Sequence, residues 1–280
     1  MSTPARRRLP TVSLALGGGG ARGLAHIVVL EALDDLGIVP TSIAGTSMGA
    51  IIGAAYAAGS SGKELRRHAL ATFRDRADVM ARLFQARVGK LADLWSQGFG
   101  NPLQVDGEVV LQRFLPRPLP PSFADLSIPF VAVSTDFYGK TRYAAHEGPL
   151  SPAVAASMAL PWLVRSVRLN GRFLVDGGAT DPLPVRDADE EADIVIAVDV
   201  TGCFATPEET RPPGPMEAML GMSLIMQSAL TEARMAHASK RIALLRPAVQ
   251  DFKILDFFAA RAILAAAEPL RDQVRRIVRG

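Results

Sequence analysis

Short apolar runs alternate along the chain with longer stretches in which apolar residues recur every three or four positions. Continuous apolar and β-branched runs at residues 11–16, 128–135 and 193–200 predict strands buried on both faces, as in parallel sheets. The spacing of residues 24–36 and 48–58 predicts helices that cover such a sheet. Strands that alternate with helices in this way predict an α/β fold with a mostly parallel central sheet.

The remaining patterns extend the same alternation. Asn170-Gly171 is the strongest two-residue hairpin signal and joins the predicted strands at residues 164–169 and 172–175. Asp106 is placed to cap one helix, and Ser151-Pro152 is placed to open another. The other predicted elements are helices at residues 60–73, 107–115, 153–160, 216–239 and 259–279, the last broken at Pro269, and strands at residues 141–145 and 242–245.

The chain is expected to form one domain. No internal repeat and no linker-like change of composition divides it, so we place the domain at residues 10–280, after a flexible N-terminus at residues 1–9. The apolar pattern loosens at residues 79–121. That stretch is interpreted either as a lid over a site or as an inserted helix pair of the core.

Composition narrows the functional classes. The 280 residues are 49% hydrophobic and 21% charged, which is typical of a globular enzyme. The net charge is +3, and no basic run is interleaved with aromatic residues, so nucleic-acid binding is not expected. Cys203 is the single cysteine, which excludes an intrachain disulfide. No apolar run reaches the ~18 residues of a membrane span. We expect a cytoplasmic protein, with peripheral contact at the inner membrane surface left open.

A glycine-rich loop follows the first predicted strand. Four successive glycines, residues 17–20, allow backbone N–H groups to point into a concavity and a ligand to approach closely. Gly18, Gly20 and Gly23 also match the dinucleotide pattern G-x-G-x-x-G. That alternative requires an acid at the end of the next strand, which instead ends in Ala44-Gly45-Thr46-Ser47. An anion-holding loop that faces Ser47 is the better interpretation.

Ser47 lies in Gly45-Thr46-Ser47-Met48-Gly49, which has the form G-x-S-x-G. In a strand-turn-helix context, small residues on both sides allow a sharp turn that exposes the serine hydroxyl as a nucleophile. A predicted strand end precedes this pentapeptide and a predicted helix follows it. The alternative is that Ser47 only caps the amides of that helix.

A nucleophilic serine requires a base, and the four histidines do not supply an obvious one. His26, His68 and His237 lie within predicted helices, and His146 lies in a loop. Asp176, by contrast, ends the second arm of the predicted hairpin and is followed by two glycines.

Burial can raise the pKa of a carboxyl group enough for it to act as a general base, so Asp176 is the candidate. The amides of Gly18, Gly19 and Gly20 are the candidate oxyanion donors. Arg22 either fixes this loop or meets a phosphate group.

These motifs, in this order, resemble those of bacterial patatin-like phospholipases. The resemblance implies a three-layer α/β/α fold, a Ser47–Asp176 dyad, an oxyanion hole in the glycine loop, and hydrolysis of lipid acyl esters without a metal or other cofactor. The resemblance also implies a supporting role beside the dyad for four glycines, Gly45, Gly49, Gly177 and Gly178. The matching segments are Gly18-Gly19-Gly20-Ala21-Arg22-Gly23, the Ser47 pentapeptide, Ala156-Ser157 to Pro161, and Asp176-Gly177-Gly178 leading into Pro182 and Pro184.

One departure and several alternatives remain. Asp181-Pro182 stands where many relatives carry Asn-Pro, which puts in question how the Asp176 loop is held. A regulatory or lipid-binding scaffold, or an acyltransferase to an alcohol or thiol, would share the same architecture. One apolar group either lines a channel for an acyl chain or packs in the core: Met158, Leu160, Trp162, Leu163 and Val164. A second group, on the last helix, either faces lipid or packs on the domain: Leu270, Val274, Ile277 and Val278.

Overall fold

A single eight-stranded sheet organises the computed structural model, which describes residues 9–87, 104–188, 191–202, 212–236 and 241–279. The strand order is β5-β6-β3-β2-β1-β7-β8, and β4 also pairs with β3. The pairs within β3-β2-β1-β7-β8 are parallel, while β4, β5 and β6 form antiparallel pairs. The strands are β1 Val12–Leu16, β2 Ile43–Thr46, β3 Phe130–Asp136, β4 Thr141–Ala145, β5 Val167–Leu169, β6 Arg172–Asp176, β7 Ile194–Val198 and β8 Ile242–Leu245.

Helices cover this sheet. They are α1 His26–Leu36, α2 Met48–Ala57, α3 Gly62–Thr72, α4 Arg76–Gln85, α5 Gly107–Phe114, α6 Leu150–Ser157, α7 Pro215–Met235, α8 Ala260–Ala267 and α9 Pro269–Arg279. Short 3-10 turns complete the set at Gly20–Ala25, Phe123–Asp125, Gly177–Ala179, Val185–Asp187 and Phe257–Ala259.

The two faces of the sheet differ in side-chain size. Leu14 is in register with Ile43 and Ile196, and these large side chains pack with α1, α2, α8 and α9 in the main core. On the opposite face, Ala15 packs in a smaller cluster with Leu183 and Ala197, beneath the 3-10 turn at Val185–Asp187 and the end of α7. Small residues here allow the segment that carries Leu183 to approach the sheet closely. The result is the three-layer α/β/α arrangement predicted from the sequence.

Most predicted elements are confirmed within two or three residues. Asn170 and Gly171 have positive φ values of 50° and 76°, as a type I′ hairpin turn requires. The Asp106 carboxylate accepts hydrogen bonds from the first amides of α5, which confirms the cap. The helix at residues 259–279 is broken at Pro269 into α8 and α9. This agreement reflects turn and cap chemistry that acts locally.

Two helix boundaries differ from the prediction, and one helix lies where the pattern defined no element. The α-helix after the glycine loop begins at His26 rather than Leu24, because residues 20–25 form a tighter 3-10 turn. α6 begins at Leu150 with Pro149 as its cap, so Ser151-Pro152 lies inside the first turn. α4 was hidden in the loosened pattern and begins after a cap by Asp75.

Some expectations lie outside the described residues. These are residues 1–8, the part of the lid or insertion at residues 88–103, Cys203, most of a proline-rich loop predicted at residues 207–215, and the end of the helix near His237. The domain limits 10–280 and the lid at residues 79–121 stay predictions.

The last helix does not offer its apolar side to lipid. Leu270, Val274 and Val278 are buried, and α9 packs on α1. The lipid-facing alternative for this helix is therefore wrong, because the fold itself covers that face. In the described ranges, no helix is both long enough and apolar enough to cross a membrane.

Candidate active site

The sheet register brings Ser47 and Asp176 together. Thr46, the last residue of β2, pairs with Val133, and Asp176, the last residue of β6, pairs with Ser134. β4 occupies the other edge of β3 along this stretch, so β2 and β6 share one edge and meet end to end. The residue that follows β2 and the residue that ends β6 are consequently neighbours, although they are 129 positions apart in the chain.

The turn at Ser47 is strained and tightly packed. Ser47 has φ 54°, a value that a residue with a Cβ rarely adopts, as expected of a nucleophile elbow. A side-chain carbon on Gly49 would lie 2.1 Å from the Leu16 carbonyl oxygen, and one on Gly45 would lie 2.6 Å from the Gly49 carbonyl oxygen. Both positions accept only glycine because the turn has no space for a side chain.

Ser157 fixes the backbone of this elbow. The Ser47 N–H donates to the Ser157 hydroxyl oxygen at 2.9 Å, and that hydroxyl donates to the Val133 carbonyl oxygen at 2.5 Å. Ser157 is fully buried. Ser157 belongs to one of the segments that resemble the patatin-like family, but no local pattern around it indicates this role.

The Ser47 hydroxyl is directed at a carboxylate. Its Oγ donates to Asp176 Oδ2 at 2.7 Å, while the helix-capping alternative is wrong because the side chain of Ser47 caps no amide of α2. Asp176 Oδ1 accepts the Gly178 N–H at 2.7 Å, and Gly177 lies packed against the Val133 carbonyl group. One oxygen is thus oriented by the backbone and the other faces the serine.

Burial dominates the electrostatics of Asp176. The residue is 7% exposed, and its hydrogen-bond partners are a neutral hydroxyl and a backbone amide. Desolvation raises the pKa of Asp176 to about 6, although both hydrogen bonds act to lower it. A carboxyl group with this pKa is ionised at neutral pH and still holds a proton firmly enough to take one from an alcohol.

Two backbone amides of the glycine loop donate hydrogen bonds within the fold, and two others have no acceptor among the described residues. The Gly17 N–H donates to the Val198 carbonyl at 3.0 Å, and the Gly18 N–H donates to the Pro182 carbonyl at 2.9 Å. Gly18 was a predicted oxyanion donor, but its N–H is already used within the fold. For the amides of Gly19 and Gly20, no acceptor is found among the described residues.

The loop lies directly against Ser47. A side-chain carbon on Gly18 would lie 3.3 Å from Ser47 Cβ, and Gly20 lines the same cavity as Ser47. Gly20 has φ 58°, and a side chain there would meet the Ile254 carbonyl oxygen at 2.3 Å. The close approach predicted from the four glycines is therefore present.

Arg22 holds this loop in place. Its guanidinium is buried and donates to three carbonyl oxygens, those of Phe252 at 2.6 Å, Thr201 at 2.5 Å and Gln250 at 2.9 Å. Of the two roles predicted for Arg22, the geometry favours fixing the loop.

No histidine takes the place of Asp176 among the described residues. His26 is buried with its Nε2 2.8 Å from the Gly17 carbonyl oxygen, and burial lowers its pKa to about 4. His68 Nε2 lies 3.0 Å from the Phe114 carbonyl oxygen, and His146 is exposed. His237 lies outside the described residues. Nor do the described ranges contain a group of three or more His, Cys, Asp or Glu side chains able to hold a metal ion.

An apolar cavity of about 600 Å³ opens beside Ser47. Side chains of α2 to α5 and of residues 254–258 form much of its wall. Four of the five residues with a channel interpretation line it: Met158, Leu160, Leu163 and Val164. Val164 is also part of the buried core, and Trp162 is exposed. A cavity of this size is typical of a small-molecule site, and its lining suits a hydrocarbon chain.

Comparison with known families agrees with this geometry. A family model described as patatin-like phospholipase matches residues 14–189, which include the glycine loop, Ser47 and Asp176. The chain belongs to the patatin-like phospholipase family.

Relatives match most of this patatin-like chain, but the match covers a smaller share of their own length. It is 34% identical over 248 residues to an uncharacterized NTE family protein of Mycobacterium tuberculosis, covering 85% of this chain and 64% of that protein. It is 28% identical over 270 residues to human patatin-like phospholipase domain-containing protein 6, covering 88% of this chain and 19% of that protein. The chain thus spans less than two thirds of each relative.

Among solved structures, VipD from Legionella pneumophila aligns with 97% of this patatin-like chain and 67% of its own. The TM-score is 0.49 and the identity 15%, so this likeness adds nothing to the family assignment.

Proposed function

We propose that this chain is a serine lipid acyl hydrolase with Ser47 as nucleophile and Asp176 as general base. The observation that carries the proposal is the 2.7 Å hydrogen bond from Ser47 Oγ to Asp176 Oδ2 beside an apolar cavity of about 600 Å³. The family supports ester hydrolysis as the reaction class. The substrate is a phospholipid or lysophospholipid acyl ester.

In the first half-reaction, Asp176 takes the hydroxyl proton of Ser47 as Oγ bonds to the ester carbonyl carbon. The carbonyl electron pair moves to oxygen, and the amides of Gly19 and Gly20 stabilise that oxyanion. The C–O bond to the leaving alcohol then breaks, and the alcohol leaves with the proton from Asp176. An acyl ester of Ser47 remains.

In the second half-reaction, Asp176 takes a proton from water as the water oxygen attacks the acyl carbon. The Ser47 Oγ leaves, regains its proton, and the fatty acid is released. An acceptor alcohol or thiol in place of water would make the same intermediate a transferase intermediate.

The cavity mouth supports peripheral contact with a lipid surface. Met80, Phe84, Leu255 and Phe258 line the cavity and are also exposed to solvent. Two guanidinium groups stack on these aromatic rings, Arg76 4.9 Å from the Phe258 centroid and Arg87 4.7 Å from that of Phe84. Apolar side chains rimmed by cations fit the boundary of an anionic membrane. Phe84→Ser should reduce sedimentation with anionic vesicles, and unchanged sedimentation would contradict this contact.

Replacement of Ser47 tests the chemistry. Ser47→Ala should abolish turnover of a monomeric aryl ester and labelling by a fluorophosphonate, with an unchanged melting temperature. Ser151→Ala, a serine of α6 outside the site, is the control and should keep both. Retained turnover in Ser47→Ala would overturn the proposal.

Two alternatives give different outcomes for the wild-type chain. A non-catalytic regulatory or lipid-binding scaffold predicts neither ester turnover nor fluorophosphonate labelling. A transferase predicts labelling together with turnover that depends on an added alcohol or thiol.

A further inference from the structure

One short segment, Thr180–Pro182, contacts three parts of the candidate site. The Asp181 carbonyl oxygen accepts the Thr46 hydroxyl at 2.8 Å, next to the nucleophile. The Asp181 N–H donates to the Gly177 carbonyl at 2.8 Å, within the loop that carries Asp176. The Pro182 carbonyl accepts the Gly18 N–H at 2.9 Å, within the glycine loop. Three segments that are distant in the sequence therefore rest on three consecutive peptide groups.

The side chain of Asp181 anchors this segment. It is fully buried, and its carboxylate is held between two guanidinium groups. Arg142 from β4 donates to Oδ2 at 2.7 Å, and Arg234 from α7 donates to Oδ1. Arg234 also donates to the Thr180 carbonyl at 2.5 Å, and Arg142 to Asp187. The segment is thus tied both to the sheet and to the helix that covers it.

The geometry of a Ser–Asp site depends on such an anchor. A misplacement of about 1 Å can cost two orders of magnitude in rate, because proton transfer and attack need aligned atoms. Each backbone hydrogen bond of the segment is weak by itself, whereas a desolvated carboxylate between two guanidinium groups has one strongly preferred position. A neutral asparagine at residue 181 would not provide this charge pairing.

We propose that Asp181, clamped by Arg142 and Arg234, is a positioning residue that holds the Ser47 elbow, the Asp176 loop and the glycine loop in register. Asp181 acts through these backbone contacts and does not touch the substrate. The turnover readouts below rest on the proposed function, whereas the hydrogen-exchange readout does not.

Glu31 provides a matched control. It is a second buried carboxylate with two arginine partners, Arg66 at 2.7 Å and Arg271 at 2.7 Å, and it lies on α1 outside the site. Asp181→Asn and Glu31→Gln each neutralise a buried carboxylate and leave two arginines without that partner. Both should lower the melting temperature, so stability alone does not separate a positioning role from a structural one.

The separating measurements are kcat, KM, the fluorophosphonate labelling rate and hydrogen exchange. Asp181→Asn should lower kcat and the labelling rate at least tenfold, with KM changed less than twofold. Glu31→Gln should leave all three within twofold. In hydrogen exchange, Asp181→Asn should speed deuterium uptake in peptides that cover residues 17–23, 42–49 and 176–182, and Glu31→Gln should not.

A charge-balanced variant sharpens the test. Asp181→Asn combined with Arg234→Gln removes one cation along with the anion, so it should recover part of the lost kcat and labelling rate. Where Asp181→Asn alone does not fold, Arg142→Gln and Arg234→Gln take its place and should each show the same kcat loss and exchange pattern.

The inference is overturned if the Asp181 variants lose melting temperature as the Glu31 variant does while kcat, labelling and local exchange stay at wild-type values. If the wild-type chain shows neither turnover nor labelling, the proposed hydrolase fails, but the exchange comparison still decides whether Asp181 holds the three loops.

Discussion

Two buried carboxylates at different places in this molecule have opposite surroundings. Glu31 on α1 is 3% exposed and contacts the guanidinium groups of Arg66 and Arg271. Asp176 is buried to a similar extent, but its hydrogen-bond partners are neutral. Adjacent cations offset the cost of burying a carboxylate, whereas burial without them raises the pKa of Asp176 to about 6. The partners, more than the burial, separate a structural acid from a reactive one.

The largest expected effect comes from neutralising Asp176, the proposed general base. Asp176→Asn should lower kcat at least a thousandfold, because no base then accepts the Ser47 proton. The same change should raise the melting temperature at pH 7.5. In the wild type, the pKa of Asp176 is about 6 in the folded state and near 3.8 in the unfolded state, so its ionisation destabilises the fold by about 3 kcal/mol.

The pH dependence of this gain is the control. A folded pKa above the unfolded one means that the folded state binds the proton more tightly, so stability falls as pH rises from about 4 to about 6. The difference in melting temperature between Asp176→Asn and wild type should therefore vanish near pH 4. A variant less stable than wild type at pH 7.5 would contradict our account of Asp176.

Neutralising Glu31 should instead lower stability and leave turnover unchanged. Glu31→Gln should lower the free energy of unfolding by about 3–5 kcal/mol, since two half-buried guanidinium groups lose their shared buried partner. Urea denaturation measures the loss, and kcat per folded molecule should stay unchanged. A loss below about 1 kcal/mol would show that the arginines find other partners, such as Glu268 or Asp35.

A third effect is the pH profile of catalysis. kcat/KM for a monomeric ester should fall about tenfold per pH unit below pH 6 and level off above it, because Asp176 must be ionised to act as base. His26 does not supply this midpoint, since burial lowers its pKa to about 4. A midpoint near pH 4 in a stopped-flow titration would mean that Asp176 is better solvated than its burial implies.

The smallest expected effect on stability comes from breaking an exposed ion pair. Arg117 donates twice to Glu64, with both distances at 2.8 Å, but its side chain is 59% exposed. Arg117→Ala should lower the free energy of unfolding by less than about 1 kcal/mol, because water screens the pair. The same urea titration checks this value, and a loss comparable to that of Glu31→Gln would show that burial does not govern these carboxylates.

The sequence predicts the fold and the two candidate reactive residues for local reasons. Ser47 and Asp176 each end a strand beside glycines, and the short apolar runs identify those strands without any knowledge of the sheet. Their meeting depends on a register along β3 that no local pattern contains. For that step, the order of motifs in the family resemblance supplied the information.

Other parts of the site were not predictable because they depend on long-range partners. Nothing near Gly18 in the sequence indicates that the Pro182 carbonyl occupies its N–H. Arg142 and Arg234 become partners of Asp181 through the positions of β4 and α7, although they lie 39 and 53 residues away in the chain. Residues that line the cavity, such as Leu160, have the same apolar character as core residues, so pattern alone does not distinguish them.

The central position of β1 has a consequence for synthesis. Val12 on this strand pairs with Ile194, and the Gly17 N–H that begins the glycine loop needs the Val198 carbonyl. A chain that emerges from the ribosome N-terminus first lacks that partner until Val198 has been translated. The glycine loop can therefore settle against the sheet only after the segments that carry Ser47 and Asp176 have already emerged.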